Sequence, residues 1–323
     1  MADAIGSRLA LGCAQLGNLY EQRTDEQAGA ILQAAWEVGI RHFDTAPHYG
    51  LGLSERRLGA FLRGKPRDQF TVSTKVGRLL VADPDGATRQ DDQGFAVPAA
   101  YRRVWDFSPS GVRESLEASM DRLGLDRIDT VLIHDPNDGD AHQALTGAAP
   151  ELARLRAQGV IESFGAGTKD VALLTRFVRE TRADTVMIAG RYTLLDQSAL
   201  DDLLPTCLER RVSVLNAAIF NSGILARSGP LTAARFEYAA PPRAILETAA
   251  AIAARCEAHG TTLPAAAVAF AAAHPAVTAL VVGADDAPQI RATSALLATP
   301  PPTAFWSDLT AHGLLRPDAP VPA

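Results

Sequence analysis

Short β-branched or apolar runs alternate with longer amphipathic runs along this chain, and no linker divides them. The strand-like runs are Arg8–Cys13, Ile40–Asp44, Phe70–Lys75, Ile128–His134, Val160–Gly165, Thr185–Ala189, Val212–Ala217 and Thr278–Val282. Each is followed by a helical pattern. Thr24, with Gln27 in the capping-box position, opens a helix running to about Val38. Ser54 opens a second helix, Ser108 or Ser110 caps a third, and later helices are expected over 151–158, 168–180, 197–210, 242–258, 263–273 and 286–297. Regular βα alternation predicts a parallel sheet, and eight units predict a closed (β/α)8 TIM barrel over residues 1–323 as one domain. An open doubly wound sheet is the structural rival.

Two segments depart from this rhythm. Gly77–Pro109 is long, rich in Asp, Gly and Arg, and carries Tyr101, Trp105 and Phe107. It reads as a long loop after strand three, on the face where barrel sites lie. The tail Thr299–Ala323 is proline-rich but holds Phe305, Trp306, Leu309, Leu314 and Leu315, so it is expected to pack on the barrel. The apolar stretch Leu263–Ala284 approaches membrane-spanning length. It is mostly alanine and is broken by His274-Pro275, so a helix followed by a buried strand explains it better.

A net charge of -6, spread without a basic tract, argues against nucleic acid or an anionic membrane as partner. Cys13, Cys207 and Cys256 have neither disulfide-framework nor zinc spacing, and no metal site is expected. The start of the chain, with Asp3 and Arg8, has no apolar run, so no secretory signal is expected and the location is expected to be cytoplasmic.

Side chains at the carboxyl ends of barrel strands converge on one mouth. Asp44 ends strand two, Tyr49 follows it, Lys75 ends strand three and His134 ends strand four. A free phenol is a poor base at neutral pH, and an adjacent ammonium lowers its pKa. Asp44 would hold Lys75, His134 would orient a substrate oxygen, and Tyr49 would give or take a proton during hydride transfer.

Phe43-Asp44-Thr45-Ala46-Pro47-His48-Tyr49-Gly50, Ser54-Glu55, Ser73-Thr74-Lys75, Leu123-Gly124-Leu125-Asp126-Arg127-Ile128-Asp129 and Ile133-His134 resemble the aldo-keto reductase signatures over nearly the whole chain. The resemblance implies Asp44, Tyr49, Lys75 and His134 as a catalytic tetrad. Further segments are similar to the branch that includes L-fucose dehydrogenase and D-threo-aldose 1-dehydrogenase. These are Leu16–Tyr20, His48–Gly59, Gly94–Pro98, Val104–Ser108, Gly190–Gln197 and Phe220–Gly223. Pyridoxal 4-dehydrogenase and plant L-galactose dehydrogenase are similar relatives. That branch oxidises the anomeric carbon of a free sugar to a lactone, with a sugar or aldehyde as the small-molecule partner. Tyr20, His48, Arg78, Trp105 and Phe107 are the expected substrate contacts.

The resemblance also implies NAD or NADP. The family's usual Ser-Asn pair after strand five is replaced by Gly165-Ala166-Gly167-Thr168, and its usual Gln by Ala189, so Gly165, Arg191 or Tyr192 is expected to form part of the nicotinamide surface. Asp44 is counted among the cofactor contacts too. Phe220, Asn221, Ser222, Gly223 and Leu225 should lie over the pyrophosphate. The usual 2′-phosphate cluster is replaced by Gly283, Asp285, Asp286 and Gln289, whose carboxylates favour NAD. Asp as a dipole-favoured helix start is the alternative, and a swing of Arg291 would weaken the NAD reading. Gly165-x-Gly167 lacks the third glycine of a Rossmann fingerprint, since Asp170 stands there. Three functions follow: an NAD-linked sugar 1-dehydrogenase, a reductase of aldehydes or ketones, or a catalytically idle barrel subunit. The intact tetrad argues against the last.

Overall fold

The computed structural model describes residues 8–227, 236–237 and 239–322; the expectation resting on Asp3 lies outside them. Eight parallel strands close into a barrel in the order β1-β10-β9-β8-β7-β6-β3-β2. They are β1 (Leu9–Gly12), β2 (His42–Asp44), β3 (Thr71–Val76), β6 (Ile128–His134), β7 (Ile161–Thr168), β8 (Thr185–Ala189), β9 (Ser213–Ala217) and β10 (Val277–Val282). Neighbours in the barrel are neighbours in sequence, apart from a separate hairpin of β4 (Arg78–Ala82) and β5 (Tyr101–Trp105).

The helices form because their starts and stops are written locally. Thr24 caps Asp25–Glu37 with a complete capping box, and Ser108 accepts from Gly111 to start Pro109–Leu123, which closes on left-handed Gly124. Thr262 caps Leu263–Ala271, the helix that the apolar stretch was expected to contain, and β10 follows it. Among the described residues no helix is long and apolar enough to cross a membrane.

The core has two shells. Leu132, Met187, Leu215, Val281 and the alanines 10, 217 and 279 fill the barrel. A larger cluster lies between strands and helices. Phe305 and Trp306 on the tail helix Thr303–Ala311 join that cluster, with the Trp306 ring tilted against Phe270 at 6.5 Å between centroids. The tail therefore packs on the barrel as expected.

Three expectations need correction. The loop after strand three is an ordered antiparallel hairpin, with Arg78 opposite Trp105 and Ala82 opposite Tyr101. The helix expected at 151–158 begins earlier, at Ala141, and passes through a π-helical turn, Ala144–Ala148, into Ala149–Ala157. Strand β7 runs to Thr168, so Gly165 lies inside it rather than at the mouth. A Cβ there would sit 1.7 Å from the Thr185 carbonyl oxygen, and glycine permits this close approach of β7 and β8.

Candidate active site

Alternation along β3 sorts the residues that build the site. Ser73 and Lys75 face one side and Thr74 the other. Thr74 donates to Glu55 at 2.7 Å, and Arg122 reaches the same fully buried carboxylate at 2.6 Å, tying two helices to the strand. On the opposite face Ser73 Oγ donates to Asp44 Oδ1 at 2.7 Å, and Lys75 Nζ donates to Asp44 Oδ2 at 2.7 Å. Both Asp44 oxygens are thus engaged by this chain. Lys75 also donates to the Thr45 carbonyl at 2.9 Å.

Tyr49 is held beside this pair by a tight loop. Gly50, Leu51 and Gly52 follow it with positive φ, and the Gly50 backbone lies against that of Gly17, where a Cβ would meet the Gly17 oxygen at 2.2 Å. Lys75 Nζ lies 4.8 Å from the centroid of the Tyr49 ring. His134 meets that ring edge-on at 5.8 Å between centroids, and His48 packs 5.5 Å from His134. The four tetrad residues are therefore brought to one end of the barrel, with His48 beside them.

The electrostatics follow from burial. Desolvation pushes the Tyr49 phenol above its ordinary value, against the opposing pull of the Lys75 charge. Desolvation also opposes the Lys75 ammonium, but Asp44 and Tyr49 outweigh it and keep its pKa above that of an ordinary lysine. His134 is held well below 6.5 by burial and by the charges of Arg78 and Lys75. His48 is pushed down to about 2 by burial and by Arg78 and Arg103. Both imidazoles are neutral near pH 7, so each can donate at one nitrogen and accept at the other.

The hairpin insertion covers one flank. Phe95 packs edge-on to His48 at 5.1 Å and lies 6.1 Å from the Tyr49 ring. Arg103 pairs with buried Asp91 at 2.5 Å and donates to the His48 carbonyl at 3.0 Å. Arg78 pairs with Asp135 at 2.5 Å and lies 3.4 Å from His48 Nδ1, with its guanidinium 4.4 Å from the Trp105 ring centroid. Of the expected substrate contacts, His48, Arg78 and half-open Trp105 gather here. Tyr20 is exposed beside the insertion, its N–H donating to the Gly94 carbonyl at 2.8 Å. Phe107 is different: it is fully buried in the core beneath Trp105 and presents no surface to a substrate. Phe95, Arg103, Asp91 and Asp135 were not singled out from the sequence, although Phe95 stands in a quoted motif and Asp135 directly follows His134.

The other half of the mouth is formed by the loops after β8, β9 and β10. Tyr192 was expected at the cofactor surface but is fully buried, packed outward against Phe270 and His274. Leu225 is likewise in the core. Arg191 is ion-paired with Asp196 at 3.2 Å and with Glu237. In the Phe220–Gly223 turn, Asn221 and Ser222 adopt positive φ, the Asn221 N–H donates to the Ala218 carbonyl just before the turn, and the Gly223 N–H donates to the Phe220 carbonyl. Those donors are therefore already used. Asn221 Nδ2 donates to the Gly190 carbonyl, while its Oδ1 is buried without a partner.

At the end of β10, exposed Gly283 lies against Gln15, and Asp286 caps the helix Ala287–Leu296 by accepting from Gln289. The capping alternative thus holds for Asp286. Asp285 accepts from Arg23 at 2.6 Å, a partner 262 residues away that the sequence reading missed. Arg291 is paired with Glu37 at 2.8 Å.

Exposed Ser222, Gly283, Asp285, Asp286 and Gln289 line adjacent strand ends, with small Ala189 and Ala217 beside them. This strip of polar groups and small side chains fits a nicotinamide nucleotide. Asp285, Asp286 and Gln289 would hold its ribose end, and the Ser222 hydroxyl on the exposed turn would face its middle.

The chain is similar to known proteins over nearly its full length. The aldo/keto reductase family profile matches residues 8–313. A D-threo-aldose 1-dehydrogenase from Pseudomonas sp is 45% identical over 309 residues, covering 95% of this chain and 94% of its own length. A pyridoxal 4-dehydrogenase from Microbacterium luteolum is 36% identical over 325 residues, covering 95% and 94% respectively. The solved glycerol dehydrogenase of Gluconobacter oxydans shares the fold, with a TM-score of 0.76 at 23% identity, covering 98% of this chain and 95% of that one.

Proposed function

This chain belongs to the aldo/keto reductase family and is an NAD(P)-dependent oxidoreductase, and from that premise we propose that it oxidises the anomeric carbon of a free aldose, of the L-fucose or D-threo-aldose type, to a lactone. The observation that carries this reading is the 45% identity to a D-threo-aldose 1-dehydrogenase along 95% of the chain, with Asp44, Tyr49, Lys75 and His134 gathered at one mouth.

A bound nicotinamide supplies the hydride acceptor. Tyr49 exchanges the proton of the reacting hydroxyl, and Lys75 stabilises the phenolate formed whenever that proton is absent. Asp44 fixes the Lys75 ammonium and balances its charge. Neutral His134 hydrogen-bonds the reacting oxygen and orients it toward Tyr49. Because burial raises the phenol pKa, the resting protein holds the Tyr49 proton. Oxidation therefore begins with loss of that proton, whereas reduction begins with the proton in place.

We infer NAD as the preferred nucleotide. Asp285 and Asp286 bring two carboxylates to the expected ribose end; Arg23 offsets part of that charge by pairing with Asp285, and Arg291 is turned away toward Glu37. Arg23 spends its nitrogens on Asp285, Leu19 and Glu21, and Arg291 on Glu37. The buried, unpaired cysteines suit the reducing cytoplasm.

The test is a panel of L-fucose, D-arabinose, L-galactose, pyridoxal and simple aldehydes with NAD⁺, NADP⁺ and their reduced forms. Aldose oxidation with the highest kcat/KM supports the proposal. A highest value for pyridoxal, in line with the 36% identical relative, replaces the sugar with that aldehyde. A highest value for simple aldehydes with reduced cofactor makes the protein a reductase.

A further inference from the structure

Asp135 follows His134 directly, and its backbone turns into the left-handed region, with φ 41°. Its N–H donates to the Gly167 carbonyl at 2.9 Å, which pins the turn across β6 and β7. The result is that its carboxylate returns toward the site: Oδ2 lies 3.5 Å from His134 Nε2 and 2.5 Å from the Arg78 guanidinium. Arg78 comes from the other side, at the first position of the hairpin. Its side chain is nine-tenths buried, but that of Asp135 is 29% exposed. Arg78 Nε is buried without a hydrogen-bond partner.

From this arrangement we propose that Arg78 and Asp135 form a recognition pair for substrate hydroxyl groups next to the reacting carbon. The pair is a rigid donor beside a rigid acceptor. Asp135 adjoins His134, the residue assigned to the reacting oxygen. A polyol offers a donor and an acceptor on neighbouring carbons, which matches this pair. A hydroxyl-free aldehyde satisfies none of these groups. The pair would thus select polyhydroxylated substrates over simple carbonyl compounds. Asp138, 3.6 Å from Arg78, balances the guanidinium from the solvent side. This inference rests on the sugar-oxidising reading above.

The same ion pair could simply anchor the hairpin to β6, and the experiment separates the two roles. Wild type, Asp135→Asn and Arg78→Lys are each assayed with the best aldose of the panel and with its 2-deoxy and 3-deoxy analogues, and thermal melting checks folding. Wild type should prefer the parent sugar over at least one deoxy analogue by about 10- to 100-fold in kcat/KM, as expected for a lost hydrogen bond to a charged group. Asp135→Asn should lose most of that preference, chiefly through KM for the parent sugar, and Arg78→Lys should lose part of it. Equal losses on parent and deoxy sugars, or no loss, would make the pair a structural anchor and overturn the inference. Wild type that oxidises no aldose at all would contradict the functional reading itself, a result distinguishable from failure of the pair.

Discussion

Lys75 Nζ is held 2.7 Å from Asp44 Oδ2, with both side chains almost wholly buried beneath the Tyr49 ring. A buried ammonium needs its counter-charge, so Asp44→Asn leaves Lys75 uncompensated. The expected loss of stability is about 3–5 kcal/mol in denaturant unfolding. Replacing both residues, Asp44→Asn with Lys75→Met, should recover part of that stability while activity stays lost. A double variant less stable than the single would show that the pair is not coupled in this way.

Tyr49→Phe removes the exchangeable proton and little else. Turnover should fall by about 10²–10⁴-fold, while cofactor affinity, measured by fluorescence titration, stays near that of wild type. If more than a tenth of the wild-type kcat survives, another group carries the proton.

The pH dependence should differ with direction. The Tyr49 phenol sits above 10.0 because of burial, so the phenolate needed for oxidation becomes more populated as pH rises. Oxidation should therefore accelerate from neutral pH toward alkaline pH, while reduction stays level and declines only above the raised phenol pKa. Neither limb should show an ionisation near 6.5, because His48 and His134 are depressed far below it and remain neutral. A break near 6.5 that disappears in a His48 or His134 variant would contradict this assignment.

Arg23 and Asp285 give a sharper cofactor prediction than charge counting alone. Asp285→Ala removes a carboxylate and releases the Arg23 guanidinium, which is otherwise bonded to it at 2.6 Å. Exposed like charges at about 4 Å cost roughly 1–4 kcal/mol, so NADP⁺ use should rise at least several-fold relative to NAD⁺. Further substitution of Arg23 by Ala should reverse much of that gain. An unchanged ratio in Asp285→Ala would remove these residues from the ribose site.

The barrel was legible because each strand ends in a recognisable way: β6 terminates at His134, and β8 covers Thr185–Ala189 as its β-branched and apolar run suggests. The convergence of Asp44, Lys75 and Tyr49 was legible for the same reason, since strand ends of a barrel share one mouth. The hairpin was hidden because its strands are short and half-exposed and flank a segment rich in Asp and Gly. Tyr192 and Phe107 were misplaced because an aromatic just beyond a strand can turn toward the mouth or into the helix layer, and composition does not distinguish the two. The partnership of Arg23 with Asp285 joins loops at opposite ends of the chain, and neither residue carries a local signal of the other.

The most direct test of the central claim is identification of the product. The purified protein is incubated with its best free aldose and NAD⁺ or NADP⁺, and the sugar is followed by ¹³C NMR while reduced cofactor is counted. The account predicts that the anomeric signal is replaced by a lactone carbonyl, with reduced cofactor formed in equal amount. Reduced cofactor formed with the anomeric carbon intact, or oxidation at any other carbon, would contradict it.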